Sequence, residues 1–144
     1  KPKFYSNHRY RQGQNKEQPF ESNNNIKELL LNDKLNILDI GFGTGTSTKN
    51  LYSSDQNNYF CIESYMQGIN NLKKYTKLNK IKNICIFHGD AIDIISELLP
   101  DGSIDEILIF FPDPWPKTKH HKRRLINPYT LNLFFSKLKK MHVI

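Results

Sequence analysis

A glycine-rich turn follows the first strongly apolar stretch of this 144-residue chain. The stretch 37–40 runs directly into Gly41, Gly43 and Gly45, and a segment with helical character begins at Thr46. Glycines let the backbone turn sharply and approach a ligand closely, and the helix that follows directs free N–H groups towards it. The pattern predicts a strand, a nucleoside-cradling loop and a helix, with a plain tight turn of another α/β protein as the alternative. A nicotinamide cofactor is disfavoured, because Thr46 stands where the dinucleotide fingerprint needs its third glycine.

Acidic residues stand at the ends of three apolar runs. Asp39 lies two residues before the glycine turn, Glu63 ends the second run, and Asp90 follows the third. A carboxylate at the tip of the second strand, about 20 residues after the loop, can accept hydrogen bonds from both hydroxyls of a ribose. An ordinary polar strand end is the weaker alternative for Glu63. For Asp39, a carboxylate that merely caps the loop explains the residue nearly as well.

A proline-rich turn and a basic run follow the fourth apolar stretch. Three prolines within residues 112–116 stiffen the backbone around Asp113 and Trp115. The next eight residues carry five cations that could hold a nucleic-acid backbone: Lys117, Lys119, Lys122, Arg123 and Arg124. A solvated basic loop is the alternative, but it explains poorly why the charges come directly after a rigid turn. His120 and His121 belong to the same basic surface.

The elements that must position these residues alternate between strands and helices. We predict strands over 35–40, 59–62, 84–87 and 104–111, a turn at Asn57-Asn58, and a fifth strand that begins at 141–144. Helices are predicted over 46–53, 65–79, 92–99 and 129–140. This order favours an α/β fold with a doubly wound, mostly parallel, Rossmann-like sheet. Since ligands of such sheets bind beyond the carboxyl ends of the strands, Gly41, Glu63, Asp90 and the segment from Phe111 onward should converge at one edge.

Composition limits the classes of protein to which the chain can belong. The formal net charge of +7 favours an anionic partner such as nucleic acid, although richness in lysine could also reflect genome composition. No secretory signal and no apolar run long enough for a membrane span are expected. Cys61 and Cys85 lie within apolar runs, so buried reduced thiols are favoured over a disulfide, and no cysteine or histidine spacing suggests a metal site.

Two segments are expected along the chain. Residues 1–25 mix cations with aromatic residues, which suits either a nucleic-acid contact or a flexible basic arm. Residues 26–144 are expected to form one domain whose C-terminal part is missing, because a doubly wound sheet of about five or more strands would normally continue.

The combined motifs resemble those of the TrmB-type tRNA (guanine-N7)-methyltransferases, which are class I enzymes that use S-adenosylmethionine (SAM). The resemblance runs from Leu-Asp-Ile-Gly-Phe-Gly-Thr-Gly through Ile-Glu and His-Gly-Asp-Ala to Phe-Phe-Pro-Asp-Pro-Trp-Pro-Lys and the basic run. The triplet 11–13 also matches an element near the start of that family. Pro116 and Ser64 depart from common family residues, and later Thr-Asp-Trp and Thr-Lys-x-Glu blocks are absent. Activity of these 144 residues alone is therefore in doubt.

This resemblance implies a specific activity, which is transfer of the SAM methyl group to N7 of a guanine in the variable loop of tRNA. It assigns Asp39, Glu63 and Asp90 to the cofactor, and Gly41, Gly43 and Gly45 of the glycine loop together with Ala91 complete the predicted cofactor site. It assigns the active site to Asp113 and substrate contacts to Lys117, with Trp115, Lys119, Lys122, Arg123 and Arg124 as further candidates. The implied partner is tRNA, with or without a β-propeller subunit. No metal and no membrane are expected, and the implied location is intracellular, either cytoplasmic or nuclear.

The chemistry of guanine N7 requires little from the protein. N7 already carries an in-plane lone pair, so no general base is needed, and positioning should dominate catalysis. A carboxylate such as Asp113 could hold the N–H edge of the base and stabilise the developing positive charge. Trp115 could stack on a base or pack against the proline turn. The alternative functions are an RNA-binding module with a degenerate SAM pocket and a nicotinamide-dependent oxidoreductase.

Overall fold

The computed structural model describes residues 26–52, 56–110, 112 and 114–140. Its elements, in chain order, are α1 (Ile26–Leu31), β1 (Leu35–Ile40), α2 (Thr46–Leu51), β2 (Asn57–Glu63), α3 (Met66–Leu78), β3 (Ile84–His88), α4 (Ala91–Leu98), β4 (Glu106–Ile109), a 3₁₀ helix (Thr118–Arg123) and α5 (Pro128–Lys137). The predicted arm at 1–25 and the predicted fifth strand at 141–144 lie outside the described residues.

The four strands form one parallel sheet in the order β3-β2-β1-β4. Leu38 of β1 lies opposite Phe60 of β2 on one side and Ile107 of β4 on the other. The chain thus adds strands outward from β1 in one direction and then returns to its other side at β4. The predicted α/β class with a parallel Rossmann-like sheet is confirmed, and the reversal of strand order places the expected ligand crevice at the carboxyl end of β1.

Helices cover both faces of the sheet, which explains the nearly continuous apolar strands. On one face, Leu38 and Phe60 pack in a core that includes Ile95 of α4 and Phe134 of α5. On the other face, the strands pack in a second core that includes Leu72 of α3. Phe60 is fully buried, and burying one such side chain contributes about 1.5–3 kcal/mol. The two layers therefore hold the strand ends in a fixed arrangement.

The predicted turn at Asn57-Asn58 is wrong, because β2 begins at Asn57. Asn58 pairs with Asn36 in the parallel register and is fully buried. Its amide nitrogen lies 2.9 Å from the carbonyl oxygen of Leu29 and 2.8 Å from the side-chain oxygen of Asn36. Asparagine favours turns when its side chain bonds locally, but here the side chain joins three elements instead.

Other predicted boundaries shift by a few residues. β4 is shorter than predicted, since Ile104 forms only an isolated bridge to Leu138. α5 begins at Pro128, where Asn127 and Thr130 form a reciprocal capping box. Gly45 is the N-cap of α2, so this helix begins without a side-chain capping bond.

The cysteines agree with the sequence prediction. Cys61 and Cys85 are free and buried, and they belong to the two different cores on opposite faces of the sheet. None of the helices in the described part of the chain is long and apolar enough to cross a membrane.

Candidate active site

The glycine loop joins β1 to α2 at the centre of the sheet's carboxyl edge. The backbone N–H of Gly41 donates to the carbonyl of Ile62 at 2.8 Å, which continues the β1–β2 ladder by one bond. Gly43 then adopts a left-handed conformation with φ +61°, which glycine reaches without a steric penalty. A Cβ added at Gly41 or Gly43 would meet no protein atom within 4 Å. The loop therefore has open space beside it where a ligand could approach the backbone.

Glu63 ties this loop to the end of β2. Its Oε2 accepts the backbone N–H of Gly43 at 2.6 Å, and its Oε1 accepts the N–H groups of Ser64 at 2.7 Å and Tyr65 at 3.0 Å. Oε1 is also 3.4 Å from the Ser64 hydroxyl, while Oε2 accepts one bond from the described residues. A carboxylate offers about four acceptor positions, two on each oxygen, so Oε2 keeps capacity to accept another bond. The spacing argument for Glu63 thus corresponds to a direct bond between the carboxylate and the glycine loop.

Gly68, which sequence reasoning did not select, supports the loop from the other side. A Cβ at this position of α3 would lie 1.8 Å from the carbonyl oxygen of Gly43. Only a glycine in α3 therefore permits the observed approach of the helix to the loop. The only signal in the sequence was a glycine within the first turns of an otherwise regular amphipathic helix, where it costs about 1 kcal/mol relative to alanine.

Asp90 lies at the carboxyl end of β3 and caps α4. Its Oδ1 accepts the N–H groups of Ile92 at 2.9 Å and Asp93 at 3.2 Å, and Ala91 is the first residue of the helix. Burial raises the pKa of the Asp90 carboxyl, and the backbone bond from Asp93 opposes this effect. The cap already explains an acidic residue here, so a cofactor contact by Asp90 or Ala91 stays a prediction.

Hydrogen bonds also join the ends of β2 and β3. The N–H of Gly89 donates to the carbonyl of Glu63 at 3.1 Å, and Nε2 of His88 lies 3.1 Å from the carbonyl of Ser64. The glycine loop, Glu63 and the start of α4 therefore converge at one edge of the sheet. Asp113, the third carboxylate expected there, lies outside the described residues.

Asp39 lies beneath the loop and is only 1% exposed. Its Oδ2 accepts bonds from the hydroxyls of Tyr52 at 2.9 Å and Thr48 at 3.3 Å. Thr48 lies in α2, and Tyr52 is the C-cap of that helix. Oδ1 of Asp39 is buried and has no hydrogen-bond partner among the described residues. Desolvation raises the pKa of Asp39, and the bonds from Tyr52 and Thr48 oppose that shift. Sequence reasoning missed Tyr52 and Thr48 as partners of this carboxylate.

Trp115, after β4, has a strained backbone with φ +39°. For a residue other than glycine, the left-handed region costs about 1–2 kcal/mol. The indole packs edge-on against His120 with ring centroids 5.4 Å apart, and the Arg123 guanidinium lies 5.0 Å from the ring centroid. Contacts with His120 and Arg123 therefore explain the position of the Trp115 ring, while stacking of this ring on a base stays a prediction.

Arg124 stabilises the same turn through its fork of donors. Nε donates to the carbonyl of Pro114 at 2.9 Å, and Nη2 lies 3.3 Å from the carbonyl of Trp115. The 3₁₀ helix brings Arg124 back to this turn, and neither the helix nor these bonds were predicted. Lys117 and Lys119 are exposed. Contacts of these lysines, Lys122, Arg123 and Arg124 with a substrate stay predictions.

Metal-binding residue types do not gather in the described ranges. No group of three or more histidine, cysteine, aspartate or glutamate side chains there could hold a metal ion. The acidic side chains at the sheet edge bond instead to backbone N–H groups, which suits a site that orients an organic ligand.

The comparison with protein families decides the family. A model of the family described as "Putative methyltransferase" matches residues 33–144. The chain belongs to this methyltransferase family. The resemblance to TrmB-type enzymes stated from the motifs is confirmed by this match and by the relatives described next.

Several curated relatives carry the name tRNA (guanine-N(7)-)-methyltransferase. The protein of that name from Nitrosococcus oceani is 43% identical over 104 residues, which cover 72% of this chain and 44% of the relative. The one from Corynebacterium diphtheriae is 41% identical over 104 residues, or 72% of this chain and 40% of the relative. The matched part of this methyltransferase-family chain thus spans less than half the length of these relatives.

Solved structures support the fold. TYW2 of M. jannaschii in complex with AdoMet superposes with a TM-score of 0.52 at 19% identity, over 78% of this chain and 46% of that one. A SAM-dependent methyltransferase from Aquifex aeolicus gives the same TM-score at 22% identity, over 78% and 55% of the two chains. At these identities the likeness shows that this family member shares their fold.

Proposed function

We propose that this chain forms the cofactor-binding part of an enzyme that transfers a methyl group from SAM to N7 of a guanine in the variable loop of tRNA. The observation that carries the proposal is the identity of 41–43% over 104 residues to relatives named for that reaction. The site geometry supports it, because a glycine loop bonded to an acidic strand end suits a ligand with a ribose.

The residues at the sheet edge fit this cofactor. Space beside Gly41 and Gly43 would admit the nucleoside, and the bonded carboxylate of Glu63 retains acceptor capacity for ribose hydroxyls. The buried, unpartnered Oδ1 of Asp39 suits a ligand with a positively charged end. When bound, the cofactor supplies an electrophilic methyl group on a sulfonium.

The remaining chemistry is positioning by the protein. The guanine must leave its stacked environment and present N7 about 3–3.5 Å from the methyl carbon, in line with the departing sulfur. Asp113 would hold the N–H edge of the base and offset the positive charge that develops on the methylated ring. The basic residues 117–124 would hold phosphates without reading the sequence.

The proposal is tested in the complete protein. Isothermal titration should give binding of SAM but not of NAD, and transcript tRNA should gain one N7-methylguanine, mapped by nuclease digestion and mass spectrometry. Binding of NAD without SAM would overturn the proposal. Salt-sensitive tRNA affinity without SAM affinity would favour an RNA-binding module instead.

The role of Asp113 is tested by one substitution. Asp113→Ala should retain binding of SAM and tRNA while turnover falls below about 1% of the starting value, since a charge contact worth about 3 kcal/mol is lost. Asp33→Ala changes an exposed aspartate after α1, and it should leave turnover unchanged. Normal turnover by Asp113→Ala would remove this residue from the mechanism.

A further inference from the structure

Tyr52 lies in a buried polar chain below the glycine loop. Its hydroxyl is 2.9 Å from Oδ2 of Asp39 and 2.7 Å from Sγ of Cys61. The exposed fractions are 2% for Tyr52, 1% for Asp39 and 0% for Cys61. The three residues come from β1, β2 and the C-cap of α2, so these hydrogen bonds join three elements beneath the loop.

The direction of the hydrogen bonds in this chain follows from protonation. Burial raises the pKa of the Tyr52 hydroxyl and of the Cys61 thiol well above their ordinary values, so both keep their protons near neutral pH. Tyr52 has a single proton, which it donates to Asp39. Its oxygen is then the acceptor for the thiol of Cys61. These hydrogen bonds therefore place the Tyr52 hydroxyl as a donor to Oδ2 of Asp39 and orient the Asp39 carboxylate.

The other carboxylate oxygen distinguishes this arrangement from a purely structural tie. A buried polar group that only supports the fold normally has its hydrogen bonds satisfied within the protein. Here Tyr52 and Thr48 both donate to Oδ2, while Oδ1 is buried and has no partner among the described residues. Burying a carboxylate with one unpartnered oxygen lowers the stability of the fold. An apolar side chain at position 39 would avoid this cost.

We propose that Tyr52, supported by Cys61, is a positioning residue for the cofactor: it holds Asp39 so that Oδ1 is available to the positively charged methionine end of SAM. The inference rests on the proposed function and names residues that act on the ligand only through Asp39. Tyr52 thus determines the orientation of the buried Asp39 carboxylate. The backbone of the glycine loop alone provides no such negative charge.

Tyr59 offers a matched control for Tyr52. The two rings pack together with centroids 4.1 Å apart, and Tyr59 is also buried. The Tyr59 hydroxyl, however, donates to the carbonyl of Leu51 at 3.1 Å. Replacing either tyrosine by phenylalanine removes one hydroxyl from the same region, but only Tyr52→Phe removes a bond to Asp39.

The experiment compares two ligands by isothermal titration of the complete protein near neutral pH. SAM carries the charged methionine end, while 5′-methylthioadenosine keeps the nucleoside and lacks the amino acid. Tyr52→Phe should weaken SAM binding about tenfold, as expected for the loss of a bond to a charged group. Its affinity for methylthioadenosine should stay within about twofold. Tyr59→Phe should change neither affinity.

A double substitution checks that Tyr52 acts through Asp39. Asp39→Asn should weaken SAM binding, and adding Tyr52→Phe should then cause no further loss, because residues acting through one contact are not additive. Cys61→Ala tests the other end of the chain and should weaken SAM binding about threefold, a figure near the lower range for one neutral bond. Cys61→Ala also tests the proposal if the Tyr52→Phe variant does not fold.

Each outcome decides the inference. Unchanged SAM affinity in Tyr52→Phe, or equal losses for SAM and methylthioadenosine, would overturn it, since equal losses indicate a damaged loop. With Cys61→Ala as the only folded variant, unchanged SAM affinity would overturn it in the same way. If the unsubstituted protein binds no SAM, the proposed function fails as well. If it binds SAM and Tyr52→Phe matches it, only the positioning role fails.

Discussion

The glycine-loop edge and the segment after β4 are held together by different interactions. At the loop, backbone N–H groups donate to the carboxylate of Glu63, and a helix glycine packs directly on the loop. After β4, the guanidinium of Arg124 donates to backbone carbonyls, and ring contacts surround Trp115. The first region is preorganised by the buried sheet. The second is stabilised locally by the same kinds of side chain that would bind phosphates.

This contrast suggests that the two ligands can be separated by mutation. Substitutions at the loop should change SAM affinity and leave tRNA affinity intact, because the loop geometry depends on packing. Substitutions after β4 should do the reverse, because Arg124 bonds to the turn at Pro114 and Trp115 rather than to the glycine loop.

The largest effect is expected from Gly68→Ala. The added Cβ would lie 1.8 Å from the carbonyl oxygen of Gly43, so either α3 or the loop must move. Overpacking of this kind costs about 1–3 kcal/mol in the free energy of unfolding, and we expect SAM binding to fall at least about 100-fold, a loss near 3 kcal/mol. Isothermal titration and urea unfolding measure the two quantities.

Gly102→Ala is the control for that change. Unlike Gly68, Gly102 has a positive φ of +67°, and no atom lies within 4 Å of the added Cβ. It should cost about 1–2 kcal/mol of stability from backbone strain and leave SAM affinity unchanged. SAM affinity of Gly68→Ala equal to that of the unsubstituted protein would break the proposed link between α3 and the loop.

The second effect concerns the charge of Glu63. Glu63→Gln replaces one acceptor oxygen by an amide that cannot accept the N–H groups now bonded there. We expect SAM affinity to fall at least about tenfold, as for loss of a bond to a charged group, with little change in tRNA affinity measured by filter binding. Glu106→Gln, at an exposed residue where β4 begins, should alter neither. Equal losses of SAM and tRNA affinity would contradict the separation.

The third effect tests the segment after β4. Arg124→Ala removes both bonds to the carbonyls of Pro114 and Trp115, so the fluorescence of Trp115, the only tryptophan of the sequence, should change. We expect kcat/KM for tRNA to fall about tenfold, with SAM affinity within about twofold.

Lys119→Ala supplies the comparison for Arg124. Because Lys119 is exposed, its replacement should leave the fluorescence of Trp115 unchanged. It should lower the salt dependence of tRNA binding by about one phosphate contact. If Arg124→Ala behaves in the same way, Arg124 is a phosphate contact rather than a support of the turn.

The smallest effect is a pH dependence of stability from Asp39. Because burial raises its pKa, the folded protein binds this proton more tightly than the unfolded chain. The contribution of Asp39 to stability is therefore greatest at acid pH and falls as pH rises through its folded-state pKa. Urea unfolding between about pH 4 and 7 should show a weaker fall in Asp39→Asn. Asp33→Asn, at an exposed position, should keep the original slope, and an unchanged slope in Asp39→Asn would refute the prediction.

Local sequence patterns predicted much of the cofactor edge. Gly41 to Gly45 and Glu63 could be found because a parallel sheet brings the carboxyl ends of its strands together, whatever the details of packing. The contacts of Gly68 with Gly43 and of Tyr52 with Asp39 could not be found. They depend on how α3 and α2 dock, and residue spacing does not encode docking.

Asn58 and Trp115 show where local rules failed. The residue type of Asn58 predicts a turn, but burial and long-range bonds keep this residue in β2. The prolines around Trp115 predict a stiff turn, but they do not predict its left-handed backbone or the bond to its carbonyl from Arg124, nine residues later.

Hydrophobic periodicity and short motifs were enough to predict the α/β order, the glycine loop, the acidic strand end and the methyltransferase family. The burial of Asp39 with one unpartnered oxygen, and the bond from Tyr52 to its other oxygen, are visible only in the packed fold. Burial and hydrogen-bond direction arise only when separate elements pack, and together they determine which oxygen of a carboxylate remains for a ligand.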